Sequence, residues 1–287
     1  MHFFSRAFFA ALAAESGAAP EALGERLGWE IPAEAPEPLA RRWAAELDRH
    51  GVESAALIAS VPGDEASVAA AVACFPGRFH GYFMLNPVAP GAPERARQAL
   101  AAGLRGICLF PAMHRYSVQD PRVRPVFEAA GPGTVVFVHC GVLTMGVRNK
   151  LGLPSRFDMR YSNPIDLHAI ALEFPRVHFV VPHFGAGYLR EALMLCDLCA
   201  NVHLDTSSSN SWRRYEPGEP PLEEIFRRTL RVTGPRRLLF GTDSSFFPRG
   251  WQHTVFESQT GALAAIGTSP DDARAILGGN LERLLRL

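Results

Sequence analysis

The 287-residue chain has no surplus of charge: 29 Lys and Arg balance 29 Asp and Glu, giving a net charge of zero and a pI near 7.2. Binding nucleic acid by counterion release needs a basic surface, so that class of partner is excluded. A disulfide framework is also missing. The five cysteines, Cys74, Cys108, Cys140, Cys196 and Cys199, are odd in number and scattered, as in a protein of the reducing cytoplasm. Cys196 and Cys199 form a CxxC in "MLCDLCAN", but no second pair completes a zinc knuckle, and they read as helix packing. No run of about 18 uncharged apolar residues occurs, which excludes a membrane-spanning helix. "MHFFSRAFFAALAA" lacks a basic n-region, and Arg6 interrupts its apolar run, so it does not read as a secretory signal. No GxGxxG follows a first strand, which argues against a dinucleotide-binding sheet.

What is present is a rhythm. Apolar, β-branched runs at 54–60, 79–86, 105–111, 134–141, 177–185, 201–207 and 237–243 alternate with amphipathic segments near 38–50, 64–75, 92–102, 121–130, 164–174, 187–199 and 221–233. Two further helices are expected near 253–266 and 270–286. Such alternation builds a parallel sheet, and continuous apolar strands are buried on both faces. Seven strands are one short of a (β/α)8 TIM barrel, and the place left for the eighth is the start of the chain. The expectation is an α/β fold with a single barrel domain over 1–287, its first strand truncated at the N-terminus. The segment 5–37, helical and then Pro- and Glu-rich in "EIPAEAPEP", reads as an insertion after that strand and a lid over the pocket.

Three strands finish on residues that are costly to bury: His139 in "VVFVHCG", His183 in "HFVVPHFG" and Asp243 in "LLFGTD". By alternation His139 shares a face with Phe137, His183 with Val181 and Phe179, and Asp243 with Gly241 and Leu239. If those partners face inward, the three polar groups meet at the C-terminal mouth, where barrel enzymes keep their sites. Imidazole and carboxylate are ligands of catalytic zinc, although satisfied polar residues at strand ends would look the same. His178 begins its strand on the opposite face and is expected to be structural or exposed. His203 lies at the wrong end of its strand, whereas Asp205 lies at the right one.

"VFVHCG", "VVPHFGAG", "LLFGTDSSFF" and the terminal "ILGGNLERLLRL" together resemble the amidohydrolase superfamily, in particular its amidohydrolase 2 branch of metal-dependent hydrolases and decarboxylases. The resemblance implies that His139 and Asp243 are metal ligands and that His183 and Asp243 act in catalysis, His183 as the acid/base. Such families open with DxHxH on the first strand. "MHFF" resembles the tail of that motif, with His2 as its second histidine and a third metal ligand. It follows as an expectation that the natural start lies upstream of Met1, and that the seam between strands two and eight is partly open. Binuclear members carry a bridging Lys or Glu on strand four, where this chain has Cys108 and Leu109. One divalent ion is therefore expected, zinc ahead of manganese or iron.

The loops after strands four, five and seven hold His114, Arg115, Tyr116, Arg148, Lys150, Arg156, Arg160, Trp212, Arg213 and Arg214. Of these, His114, Tyr116, Arg160 and Trp212 are the substrate-facing candidates, and guanidinium groups there suit a small, carboxylate-bearing substrate. Two functions stay open. One is a metal-dependent enzyme that hydrolyses an ester, lactone or amide, or decarboxylates an organic acid. The other is a catalytically impaired barrel that binds a ligand or partner. No membrane partner is expected, and a homodimer is left open.

Overall fold

The computed structural model describes residues 1–286. Eight parallel strands follow one another in sequence order: β1 (His2–Phe3), β2 (Ala55–Ala59), β3 (Phe79–Leu85), β4 (Gly106–Leu109), β5 (Val135–Val138), β6 (His178–Val181), β7 (Val202–Asp205) and β8 (Leu238–Leu239). Helices run between them, as a (β/α)8 barrel requires. The short β1 registers His2 and Phe3 against Ile58 and Ala59 of β2. No ladder joins β8 to β1 among the described residues. A single backbone bond, His2 N–H to the Ser244 carbonyl at 2.7 Å, links them just past β8. β8 itself is shorter than its apolar run because the Phe240 N–H turns to the Ile276 carbonyl of the last helical segment, 3.0 Å away.

Alternation sorts the strands into two layers. Phe3, Leu57, Phe83, Val136, Phe179 and Leu204 face outward and pack against helix residues such as Trp43, Phe127 and Phe226. Ile58, Tyr82, Met84, Val135, Val180 and Leu239 face the barrel axis. Each fully buried Leu or Phe contributes roughly 1.5–3 kcal/mol. This corrects one expectation. In β6 the inward residues are His178 and Val180, so Val181 and Phe179 lie on the helix side and alternation does not deliver His183 to the mouth. His178 sits on the barrel floor, its Nδ1 3.2 Å from Nε2 of His203.

The segment after β1 forms helices Arg6–Ser16 and Pro20–Leu27. Phe8, Phe9, Leu12 and Leu23 pack on Val147 and Leu151 from the loop after β5. Trp29 then stacks on Phe246 (3.8 Å between centroids), and the Glu30 N–H donates to the Phe247 carbonyl at 3.0 Å. Behind this loop the buried Glu46 carboxylate accepts the Trp251 amide N–H at 3.0 Å. Gly250 leaves the room: a Cβ there would lie 2.2 Å from Glu46 Oε1. All five cysteines are unpaired, and among the described residues no helix is long and apolar enough to cross a membrane.

Two outcomes are expected. Glu46→Ala leaves the Trp251 N–H buried without a partner and should cost about 1–3 kcal/mol in urea unfolding; an unchanged midpoint would show that the contact is dispensable. Burial, helped by the neighbouring His178, drives the His203 imidazole from 6.5 down to about 3. The folded ring thus stays neutral where the unfolded one charges, so its stabilising contribution is complete above about pH 6.5 and is lost as pH falls toward 3. Urea midpoints should drop between about pH 7 and 4, less steeply in His203→Gln; equal slopes would count against this source.

Candidate active site

At the end of β5 the His139 N–H still bonds the Leu109 carbonyl at 2.9 Å, continuing the ladder and aiming the ring inward. The ring stacks on Phe110 (5.4 Å, 24°) and is 5% exposed. Burial and the nearby His183 push its pKa to about 3, so it is neutral at ordinary pH. Its Nδ1 is buried and has no hydrogen-bond partner among the described residues.

His183 arrives by a break in β6, because Pro182 ends the strand. His183, Phe184 and Ala186 then take positive φ (56°, 53° and 46°), turning the chain across the mouth. Left-handed non-glycine residues cost on the order of 1–3 kcal/mol each and cluster where a site needs them. Gly141 (φ 76°) lets the end of β5 pass beside this turn, since a Cβ there would lie 2.1 Å from the Gly185 carbonyl oxygen. The His139 and His183 rings consequently stand 5.2 Å apart, edge to face. His183 Nδ1 lies 3.1 Å from the Ser207 carbonyl and 2.9 Å from Ser207 Oγ. Ser207 Oγ donates to Asp205 Oδ1, which also accepts the Ser207 N–H at 2.9 Å.

Asp243 also has positive φ (57°), and its carbonyl accepts from Gln252 Nε2 at 3.0 Å. Burial pushes its carboxyl up, but the hydrogen bond from His2 and the charges of His2 and His183 outweigh this and hold it well below the ordinary carboxylate range. His2 Nε2 lies 3.2 Å from Asp243 Oδ1, and its Nδ1 lies 2.7 Å from Ser60 Oγ. Ser60 spends its own proton on the Ile58 carbonyl at 2.9 Å. Ser60 can then only accept from His2, so Nδ1 carries the proton and a neutral His2 would turn a bare Nε2 toward a carboxylate oxygen. Two acceptors at 3.2 Å need a cation between or on them, either a proton or a metal ion. Among the described residues no three His, Cys, Asp or Glu side chains are drawn together tightly enough to grip an ion as they stand. The donor types nonetheless suit one divalent ion: two imidazoles, one with an orphaned nitrogen, and a carboxylate.

These groups line a cavity of about 740 Å³ that opens at the C-terminal mouth and continues down the barrel axis. His2, His139, His183, Asp205 and Asp243 all border it. The expected substrate residues are a different matter: His114, Tyr116, Arg160 and Trp212 are absent from its wall. His114 Nδ1 and Tyr116 Oη are buried without partners, Arg160 is held by Asp158 (2.6 Å), and the Trp212 Nε1–H is spent on Asn210 Oδ1 (3.1 Å). Arg148 pairs with Glu15, and Arg115 donates to the Arg156 carbonyl. Of the loop residues read from sequence, Lys150, the chain's single lysine, does reach the cavity. Sequence reading missed Arg249, which lies six residues past Asp243 on the cavity wall. Its guanidinium bonds Ser245 Oγ (2.7 Å) and lies 4.4 Å over Phe246. The signal for it was the arginine that closes "TDSSFFPR".

The amidohydrolase family model matches residues 14–287. Over 87 residues the chain is 34% identical to "Protein fluG" of Emericella nidulans; this covers 30% of the chain and a tenth of that much longer relative. Among solved structures it is similar to an uncharacterized TIM-barrel protein of Bordetella bronchiseptica (22% identity, TM-score 0.65, covering 100% of this chain and 94% of that one). It is also similar to a candidate 2-pyrone-4,6-dicarboxylic acid hydrolase of Pseudomonas putida (19%, 0.61, 99% and 95%) and to a zinc-bound amidohydrolase of Burkholderia multivorans (18%, 0.60, 86% and 88%). At these identities the likeness establishes the barrel fold.

The placement of Tyr116 is checkable. Removing an unpaired buried hydroxyl relieves its desolvation cost, so Tyr116→Phe should be as stable as the parent or more stable by about 1 kcal/mol in urea unfolding. A loss of stability would show that the hydroxyl has a partner.

Proposed function

The chain belongs to the amidohydrolase family, and from that footing we propose that it is a metal-dependent hydrolase of a small carboxylate-bearing ester, lactone or amide, working in the cytoplasm with one divalent ion, zinc first. The observation that carries this reading is the approach of His2 Nε2 to Asp243 Oδ1 on the wall of the cavity that the neutral His139, with its orphaned Nδ1, also lines. His2, His139 and Asp243 would hold the ion, which when bound supplies Lewis acidity to polarise a substrate carbonyl and to acidify water.

The remaining steps fall to the chain's own groups. His183 Nε2, which makes no hydrogen bond among the described residues, takes a proton from the attacking water and returns it to the departing alkoxide or amine as the acyl bond breaks. Arg249 and Lys150 make no carboxylate ion pair among the described residues, so they are free to receive the carboxylate of a substrate. Phe4, Phe8, Trp29, Phe110 and Phe246 wall the mouth, and flat aromatic surfaces favour a planar substrate. A cavity of about 740 Å³ lies within the usual range for small-molecule sites.

Elemental analysis of protein purified without chelators should find close to one equivalent of metal, and far less in His139→Ala and Asp243→Ala. Parental content in both variants would dismiss the ligand set, and a metal-free parent that added metal does not activate would favour an impaired barrel. A first trial substrate is 2-pyrone-4,6-dicarboxylate, taken from the neighbour's name. His183→Asn should keep the metal and lose roughly 10²–10⁴-fold in turnover. Products formed in ¹⁸O-water should carry the label; carbon dioxide released from a product without it would make the enzyme a carboxy-lyase instead.

A further inference from the structure

Asp205 and Ser207 lie beyond the proposed ligand set, yet both border the cavity, and their hydrogen bonds have a fixed direction. A backbone carbonyl only accepts, so the 3.1 Å contact between Ser207 O and His183 Nδ1 requires a proton on Nδ1. A carboxylate likewise only accepts, so the Ser207 hydroxyl proton is committed to Asp205 Oδ1, and Ser207 Oγ can offer His183 only a lone pair, at 2.9 Å. Both acceptors therefore demand the same tautomer. Asp205 is itself anchored by the Ser207 amide, so a single short turn of β7 closes the circuit.

A second observation comes from the neighbouring strand. Gly241 needs no special backbone angle, but a Cβ there would lie 2.8 Å from Asp205 Oδ2 and 2.7 Å from Ser207 Cβ. The missing side chain is the space that the carboxylate and the serine occupy.

We propose that Asp205 and Ser207 are positioning residues that lock His183 as its Nδ1–H tautomer, with Gly241 keeping their place open. Nε2 is thereby left as the bare nitrogen that takes the proton, and Asp205, polarising the Ser207 hydroxyl, steadies the ring when it is charged. The consequence for the reaction rests on His183 being the acid/base; the tautomer itself does not.

The test is a long-range ¹H–¹⁵N spectrum of the full chain labelled with ¹⁵N-histidine, at about pH 8, where an ordinary imidazole is neutral. The His183 signals are assigned by their loss in His183→Asn. The parent should show a protonated Nδ1 and a bare Nε2. Asp205→Ala frees the serine proton to turn toward Nδ1, so the spectrum should move toward a mixture of tautomers. Gly241→Ala should do the same by crowding Asp205 and Ser207, with no hydrogen-bonding group replaced. Asp205→Asn keeps an acceptor in place and should restore the parental pattern. With a turned-over substrate, Asp205→Ala should lower kcat by about 10–100-fold with KM little changed. A parent with protonated Nε2, or Asp205→Ala and Gly241→Ala spectra identical to the parent, would overturn the proposal. Because the spectrum needs no turnover, full activity in His183→Asn would dismiss the acid/base role separately.

Discussion

The mouth of this barrel depends on one close approach. The end of β5 and the turn after β6 meet at Gly141, where the Gly185 and Ala186 carbonyls fill the space a side chain would occupy. That contact sets how near His139 comes to His183, and the backbone bonds Gly141 N–H to Ser162 O (2.8 Å) and Val142 N–H to Ala186 O (2.9 Å) hold it there. Left-handed angles at His183, Phe184 and Ala186 are tolerated because this framework over-determines the turn. A residue with a Cβ at 141 would press first on the Gly185 and Ala186 carbonyls, and through them on the turn that carries His183.

The barrel was legible in the sequence because burial writes itself into composition. Strands covered on both faces must be apolar throughout, so every run from "AALIA" to "RLLF" announced a strand, and polar residues at their ends stood out. His139 followed from alternation directly. His183 reached the same place by a route that alternation does not describe, since Pro182 ends the strand and the next residue turns against the pleat. The inference from face to mouth was therefore right about the destination and wrong about the path. The floor pair His178 and His203 shows the converse, two histidines facing inward at the end of the barrel away from the mouth.

Charge was harder to read. Of ten polar or aromatic loop residues, four were singled out to meet a substrate, but a side chain's availability depends on what else it touches. Asp158, Glu15 and the Arg156 carbonyl claim Arg160, Arg148 and Arg115, and these partners are distant in sequence or indistinguishable from solvated neighbours. Arg249, like Lys150, combines a place on the cavity wall with the lack of an acidic partner among the described residues, and neither property leaves a mark in a linear string. The serine relay to His183 was similarly hidden, because Ser207 is one of three consecutive serines and only the fold picks it out.

The stack of Trp29 on Phe246 joins two parts of the chain that are more than 200 residues apart, the segment after the first helices and the loop that carries Arg249. Such a stack adds about 0.5–1.5 kcal/mol beyond the area it buries, no more than a few times thermal energy. Anything that widens the mouth on this side has to part those two rings, and parting them also unseats the guanidinium lying over Phe246. The stack and the guanidinium thus share one aromatic ring. Any displacement of Arg249 therefore bears on the same ring that ties the segment after the first helices to the loop after β8, so the guanidinium and that tie are mechanically coupled.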